Sequence, residues 1–211
     1  ALLINDGNGS FTDNTEVAGL ASKRNRRTYS ASFADLDGDN DLDLFCVCDF
    51  SGIDVYYNNG NGYFKDMTDQ LVKERHGFGM GHTISDFNGD GILDIFMVGM
   101  SSTTARRLDR LNLGREGFEE NDSMRAPMTY GNRLYFGSEN GLKQPDFSDD
   151  VARTGWSWGT GSADFDNDGD LDIYVANGHL SGNSALDYCT RFWCHDVYTG
   201  TSKPNKNLET F

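Results

Sequence analysis

Apolar residues along this chain recur on alternate positions or in short runs, the spacing of strands. Three runs stand out: Leu42-Asp43-Leu44-Phe45-Cys46-Val47, Ile92-Leu93-Asp94-Ile95-Phe96-Met97-Val98 and Leu171-Asp172-Ile173-Tyr174-Val175-Ala176. Each has the length and β-branched or aromatic content of a buried strand. Upstream of the last two lie Gly77-Phe78-Gly79-Met80-Gly81 and Gly155-Trp156-Ser157-Trp158-Gly159, where bulky residues fall on alternate positions. That alternation predicts a strand with one packed face. Tyr29 and Phe33 give a looser version ahead of the first run. A third pattern reads as strand, glycine turn, strand: Val55-Tyr-Tyr-Asn-Asn-Gly-Asn-Gly-Tyr-Phe64 and Leu134-Tyr-Phe-Gly-Ser-Glu-Asn-Gly-Leu142. The opening segment, Leu2 to Phe11, is the same hairpin without its first half.

The repeating unit is therefore four strands, with an acidic loop between the first two. Residues 1–20 form the tail hairpin of one unit, 27–71 a complete unit, 77–151 a unit with an insertion at 101–128, and 155–211 the start of a unit with a long loop. Recurrent four-stranded units suit an all-β fold of β-propeller blades stacked around an axis. Rings of this kind close with about four to eight blades. The expectation is thus a partial propeller, completed by further blades or by a partner chain.

The acidic loops run from Asp35 to Asp43, Asp86 to Asp94 and Asp164 to Asp172. Each carries oxygen side chains at loop positions 1, 3, 5 and 9. Carboxylates at this density repel one another unless a cation sits among them, and hard oxygen donors suit Ca2+. An EF-hand needs a bidentate Glu at position 12. That position holds Cys46, Met97 and Val175, with strand-like rather than helical flanks. The gapless nonapeptides of parallel β-helices are also excluded, because the loops start 51 and 78 residues apart.

The loops, the glycine-aromatic strand before them and the Asn-Gly-Asn-Gly hairpin resemble FG-GAP/VCBS-type repeats. These are the calcium-loop blades of integrin α-type propellers, and the nearest likeness is to secreted bacterial repeat proteins and cartilage acidic protein. The resemblance covers most of residues 1–177. It implies an extracellular, non-enzymatic propeller used in binding and adhesion. It also implies about three Ca2+ sites, with side-chain ligands Asp35, Asp37, Asp39 and Asp43; Asp86, Asn88, Asp90 and Asp94; and Asp164, Asp166, Asp168 and Asp172. Backbone carbonyls of Asp41, Ile92 and Asp170 would add a further contact each. Asn40 replaces the usual glycine of the first loop, a mild change because Asn tolerates a left-handed backbone.

Charge and cysteine content refine this reading. The chain has 211 residues, 33 of them acidic and 18 basic, for a formal charge of -15. That excess argues against nucleic acid as a partner, since phosphate needs a basic face. No apolar run is long enough for a transmembrane segment. Cys46 and Cys48 alternate on one strand face and read as small buried apolar residues. Cys189 and Cys194 lie in a loop-like segment and are candidates for a disulfide. A zinc site built on them and His195 lacks a fourth ligand.

Antiparallel order places the acidic loops and glycine hairpins on one rim and the insertions on the other. Thr103 to Leu113 reads as a short helix with a serine cap and a stop at Gly114. Arg106, Arg107, Arg110 and Arg115 would make that rim basic, and Arg191 and Trp193 would add anchors from the segment after Gly178. This predicts a protein or glycan ligand on the rim opposite the calcium loops. Two alternatives stand: an accessory scaffold subunit of a surface or membrane-associated complex, and a calcium-dependent polysaccharide lyase using one of His76, His82, His179 or His195 with Tyr188 and Arg191. The corresponding location is secreted, periplasmic or cell-surface.

Overall fold

A computed structural model describes residues 1–179 and 188–199. Residues 180–187 and 200–211, and the side chains of His179, Tyr188, His195 and Tyr198, lie outside the described residues, so the predicted roles of those side chains do too. The architecture is mostly antiparallel β, with no closed barrel among the described residues. A first hairpin pairs β1 (Leu3–Asn5) with β2 (Phe11–Asp13). A four-stranded sheet follows in sequence order: β3 (Arg27–Ala34), β4 (Asp43–Asp49), β5 (Gly52–Asn58) and β6 (Phe64–Asp66). A one-turn helix, α1 (Thr68–Leu71), leads to the next sheet, β7 (Gly79–Ser85) and β8 (Asp94–Gly99). The insertion forms α2 (Thr103–Arg110) and α3 (Glu119–Met128) before the chain returns as β9 (Arg133–Tyr135). The short α4 (Ser148–Val151) precedes a last pair, β10 (Trp156–Ala163) and β11 (Asp172–His179), and α5 (Tyr188–Thr199) follows.

Alternation along each second strand distributes its side chains between two neighbours. On β4, Phe45 and Val47 pack with Ile95, Met97 and Tyr135 of the next sheet. Leu44 and Cys46 turn the other way, onto Ala18 and Leu2 of the first hairpin segment. On β8, Ile95 and Met97 face back, while Phe96 and Val98 face Ile173 and Val175 of β11. Near-continuous apolar runs are thus what a sheet stacked on both faces requires. The blades meet most closely along their first strands, which are rich in Gly and Ser. A Cβ on Gly81 would stand 3.3 Å from the Trp158 carbonyl of the next blade. Hydroxyls bridge the same interface, with Thr83 and Ser85 Oγ atoms each 2.9 Å from Ser162 Oγ.

Four expectations are corrected. The second sheet has three strands, because beyond Phe136 its hairpin is reduced to a single bridge to Lys143. The insertion contains two helices rather than one, and α2 ends earlier than Gly114. Asn112, at φ 51, takes the left-handed position after the helix. Leu113 N–H then bonds the Leu108 carbonyl at 2.9 Å and Asn112 N–H the Asp109 carbonyl at 2.9 Å, a Schellman ending. The segment around Cys189 and Cys194 is helical, and neither thiol is in a disulfide. Five positions apart, they rise about 7.5 Å along one helix, too far for a disulfide. Cys189 instead lies 3.0 Å from Ser102 Oγ, the cap of α2. Cys48 is buried and Cys46 half-buried, as small apolar residues would be, and burial pushes the Cys46 thiol up to about 12.

Candidate functional site

The acidic loops fold around their own carboxylates. At position 1, Asp35 accepts N–H bonds from Gly38 (2.8 Å) and Asn40 (3.1 Å). Asp86 accepts from Gly89 (2.7 Å), Asp90 (3.1 Å) and Gly91 (2.9 Å), and Asp164 from Asp168 (3.2 Å) and Gly169 (3.1 Å). At position 5, Asp39, Asp90 and Asp168 accept the N–H groups of Asp41, Ile92 and Asp170 at 3.0, 2.8 and 3.1 Å. These are Asx-type turns. Asn40 adopts φ 70, the left-handed conformation its side chain tolerates.

This wrapping brings like charges together. Ligand atoms of Asp35, Asp37 and Asp39 lie within 4.8 Å of one another, as do those of Asp164, Asp166 and Asp172. Burial and then the Asp39 charge push the Asp37 carboxyl upward, and the same pair of causes acts on Asp41. Asp170 is raised by Asp168 first and burial second. Asp41 Oδ1 is buried with no hydrogen-bond donor. Repelling carboxylates and an unsatisfied buried oxygen are what a hard cation would relieve, so the donor set fits Ca2+. The second loop differs, because Asn88 replaces one carboxylate and its amide donates to Asp90 Oδ2 at 2.9 Å.

Position 9 has a second duty that the sequence reading missed. Asp43 is fully buried; its Oδ2 accepts from Leu36 N–H and its Oδ1 from Asn58 N–H, both at 2.9 Å. Asp94 repeats this with Phe87 and Gly137, both at 2.8 Å. One oxygen grips the loop and the other the hairpin beyond the third strand. The loop and hairpin therefore share a rim and are tied together by one carboxylate. Burial raises both of these carboxyls. Asp172 accepts from Phe165 N–H at 3.0 Å. The signal for this tie was present in the sequence as the recurring Asn-Gly hairpin, but its backbone donors carry no side-chain signature.

On the opposite rim, Arg107, Arg110 and Arg191 are exposed and Arg106 is half-buried. Burial, then Arg153 and Arg110, lowers the Arg106 pKa. Arg115 stacks over Phe118 at 4.3 Å. Trp193 is half-buried and engaged within the fold, its ring 6.0 Å from Phe78 and 5.1 Å from Phe192. It anchors α5 to the second blade, so less of it faces outward than the sequence reading implied. His82 packs edge-on against Phe45 and lies 2.9 Å from Ser32 Oγ.

No curated protein matches the chain. The FG-GAP-like repeat family matches residues 1–46 and again 35–97. The two matches overlap on the first acidic loop, which ends one copy and opens the next. The third loop lies beyond them, yet β10, its loop and β11 repeat the β7–β8 geometry. The chain is thus similar to FG-GAP-like repeats over residues 1–97, and its antiparallel sheets are consistent with partial β-propeller blades.

Proposed function

We propose that this chain is a segment of an extracellular, non-enzymatic β-propeller whose three acidic loops bind Ca2+ and whose opposite rim binds a protein or glycan. The observation that carries the metal reading is the convergence of three carboxylates within 4.8 Å in the first and third loops. Asp35, Asp37, Asp39, Asp41 and Asp43 would hold the first ion; Asp86, Asn88, Asp90, Ile92 and Asp94 the second; Asp164, Asp166, Asp168, Asp170 and Asp172 the third. Calcium here is structural: it neutralises each loop and, through Asp43 and Asp94, fixes the hairpin on the same rim. Further blades or a partner chain would cover the apolar residues exposed at the two ends of the stack, among them Leu3 and Ile4 at one and Trp158 and Tyr174 at the other. An extracellular setting suits the repeat class, and among the described residues no helix is long and apolar enough to cross a membrane.

The test is thermal unfolding with and without a chelator. Removing calcium should lower the midpoint; excess calcium, but not magnesium, should restore it. At about a thousandfold excess over Kd, each site contributes about 4 kcal/mol. An unchanged midpoint would sink the calcium assignment. For the rim, replacing Arg106, Arg107 and Arg110 together by Ala should weaken capture of the ligand while leaving the calcium-dependent midpoint alone. Equal capture would remove the rim from consideration.

A further inference from the structure

The two outermost hairpins of the stack are complementary halves of one blade. In the first blade, strands β3 to β6 pair in order, with β5 added to β4 and joined to β6 by the Asn58 hairpin. β10 and β11 repeat β3 and β4, and among the described residues no strand pairs with the other edge of β11. The next described element, α5, packs instead on the insertion, where Thr190 Oγ1 lies 3.1 Å from Thr104 Oγ1. β1 and β2 repeat β5 and β6, because Asn5-Asp6-Gly7-Asn8-Gly9 aligns with Asn58-Asn59-Gly60-Asn61-Gly62. No described strand pairs with the other edge of β1. One hairpin therefore supplies the first two strands of a blade, and the other the last two.

Three observations mark both halves as unfinished. On β11, Tyr174 is 64% exposed, whereas its counterpart on β4, Phe45, is 0% exposed. At the opposite face of the stack, Phe33 on β3 is 49% exposed, whereas its counterpart on β7, Ile84, packs into the cluster around Phe45. The carboxylate that closes each acidic loop also grips a hairpin N–H in the first two blades, Asn58 for Asp43 and Gly137 for Asp94. Asp172 grips only Phe165 of its own loop. The matching donor is Asn5 N–H: since Asp6 N–H bonds the Ser10 carbonyl at 3.0 Å, antiparallel alternation turns Asn5 N–H away from β2.

We infer that two copies of this chain close a ring by exchanging these halves, β1 and β2 of each copy completing the β10–β11 sheet of the other. With two blades of its own and one made from its two halves, a copy closing on itself would form a ring of three, below the range of about four to eight in which propellers close. Two copies make a ring of about six, and three copies exceed the range. In each shared blade β1 adds to β11 as β5 adds to β4, and Asn5 N–H donates to Asp172. The same placement carries the seam between blades onward, with Tyr174 of one copy packed on Phe33 of the other as Phe45 packs with Ile84. Two such seams, related by a twofold axis, close the ring. The ring rests on the reading of this chain as propeller blades; calcium binding is read separately, from the unfolding midpoint.

The experiment is sedimentation velocity of the calcium-loaded chain over a range of concentrations. Single copies should give way to a species of two copies and nothing larger. Below the association midpoint the copies separate and both outer faces are bare. Tyr174→Lys and Phe33→Lys change side chains that are exposed in the separate copy, so each variant should keep the native unfolding midpoint at low concentration. Each spoils one side of every seam and should weaken association about thirtyfold or more, as loss of a central aromatic anchor does. Mixed, the two variants retain one unspoiled seam, between the Tyr174 face of Phe33→Lys and the Phe33 face of Tyr174→Lys. The mixture should therefore pair at concentrations where neither variant pairs alone. A chain that stays single at every concentration, a lysine variant that pairs as well as the native chain, or stacks that grow beyond two copies would overturn the ring. In any of these cases, a midpoint that still falls in chelator leaves the calcium loops standing, so the two failures are told apart.

Discussion

The first and third acidic loops carry the same five aspartates at the same spacing, yet they are held differently. Asp43 is fully buried and ties its loop to the hairpin through Asn58. Asp172 is only half-buried and grips its own loop through Phe165. Around the first loop, four paired strands and two flanking clusters surround the carboxylate. Around the third, β10 and β11 pair with each other and lean one face on the second blade. An acidic loop is therefore coupled to its blade by backbone donors beyond the loop. The same five aspartates need not contribute equally to stability.

The sharpest way to break this comparison is to truncate position 9. Asp43→Ala removes both acceptors and leaves the Leu36 and Asn58 N–H groups unsatisfied. It should cost about 3 kcal/mol with calcium withheld, at the upper end for stranded buried donors. Asp172→Ala strands one donor in a more exposed loop and should cost about 1 kcal/mol. Denaturant unfolding in chelator measures both. Equal losses would mean that the hairpin tie contributes nothing.

Much of the fold was legible in the sequence, and the part that was not has a physical cause. The strands, the loop positions and the two rims follow from period-two alternation and from Asp and Gly spacing, which are local signals. The ties from Asp43 to Asn58 and from Asp94 to Gly137 do not, because backbone N–H donors are present at every residue. Helix α3 was missed because Glu119 to Met128 lacks a clear apolar face and carries Pro127 near its end. The Cys189–Cys194 pairing failed because the four intervening residues wind as a helix, a conformation that short aromatic-rich segments do not announce.

A second contrast lies between the two seams that flank β7. One is bridged by His82 to Ser32, the other by hydroxyls to Ser162. Only the first can titrate. Burial lowers the His82 pKa to about 4, whereas the unfolded chain takes up that proton near the ordinary value of about 6.5. Between those values the unfolded state binds more protons, so acidification favours unfolding. Stability should be full above pH 6.5 and fall towards pH 4, with a slope of at most about 1.4 kcal/mol per pH unit from this group. His82→Gln, measured in parallel, should flatten that window. Ser162→Ala, on the other seam, should leave it intact.

The smallest expected effect tests whether the blades are in contact where the two first strands are equivalent. Gly81 and Gly159 occupy the same place, five residues before their loops. A Cβ on Gly81 would press on the Trp158 carbonyl at 3.3 Å and Val98 Cγ2 at 3.5 Å. On Gly159 it would meet nothing nearer than Ala176 Cβ at 4.0 Å. Gly81→Ala should therefore cost about 1 kcal/mol, since the facing backbone cannot yield without moving the neighbouring blade. Gly159→Ala should be neutral or gain about 0.5 kcal/mol, by narrowing the unfolded ensemble at a site with room for a methyl group. The sign difference, read from denaturant midpoints at constant slope, matters more than either magnitude. A loss at Gly159 as large as that at Gly81 would mean that another blade approaches β10 as closely as β10 approaches β7, and that the open face of the third blade is covered in solution.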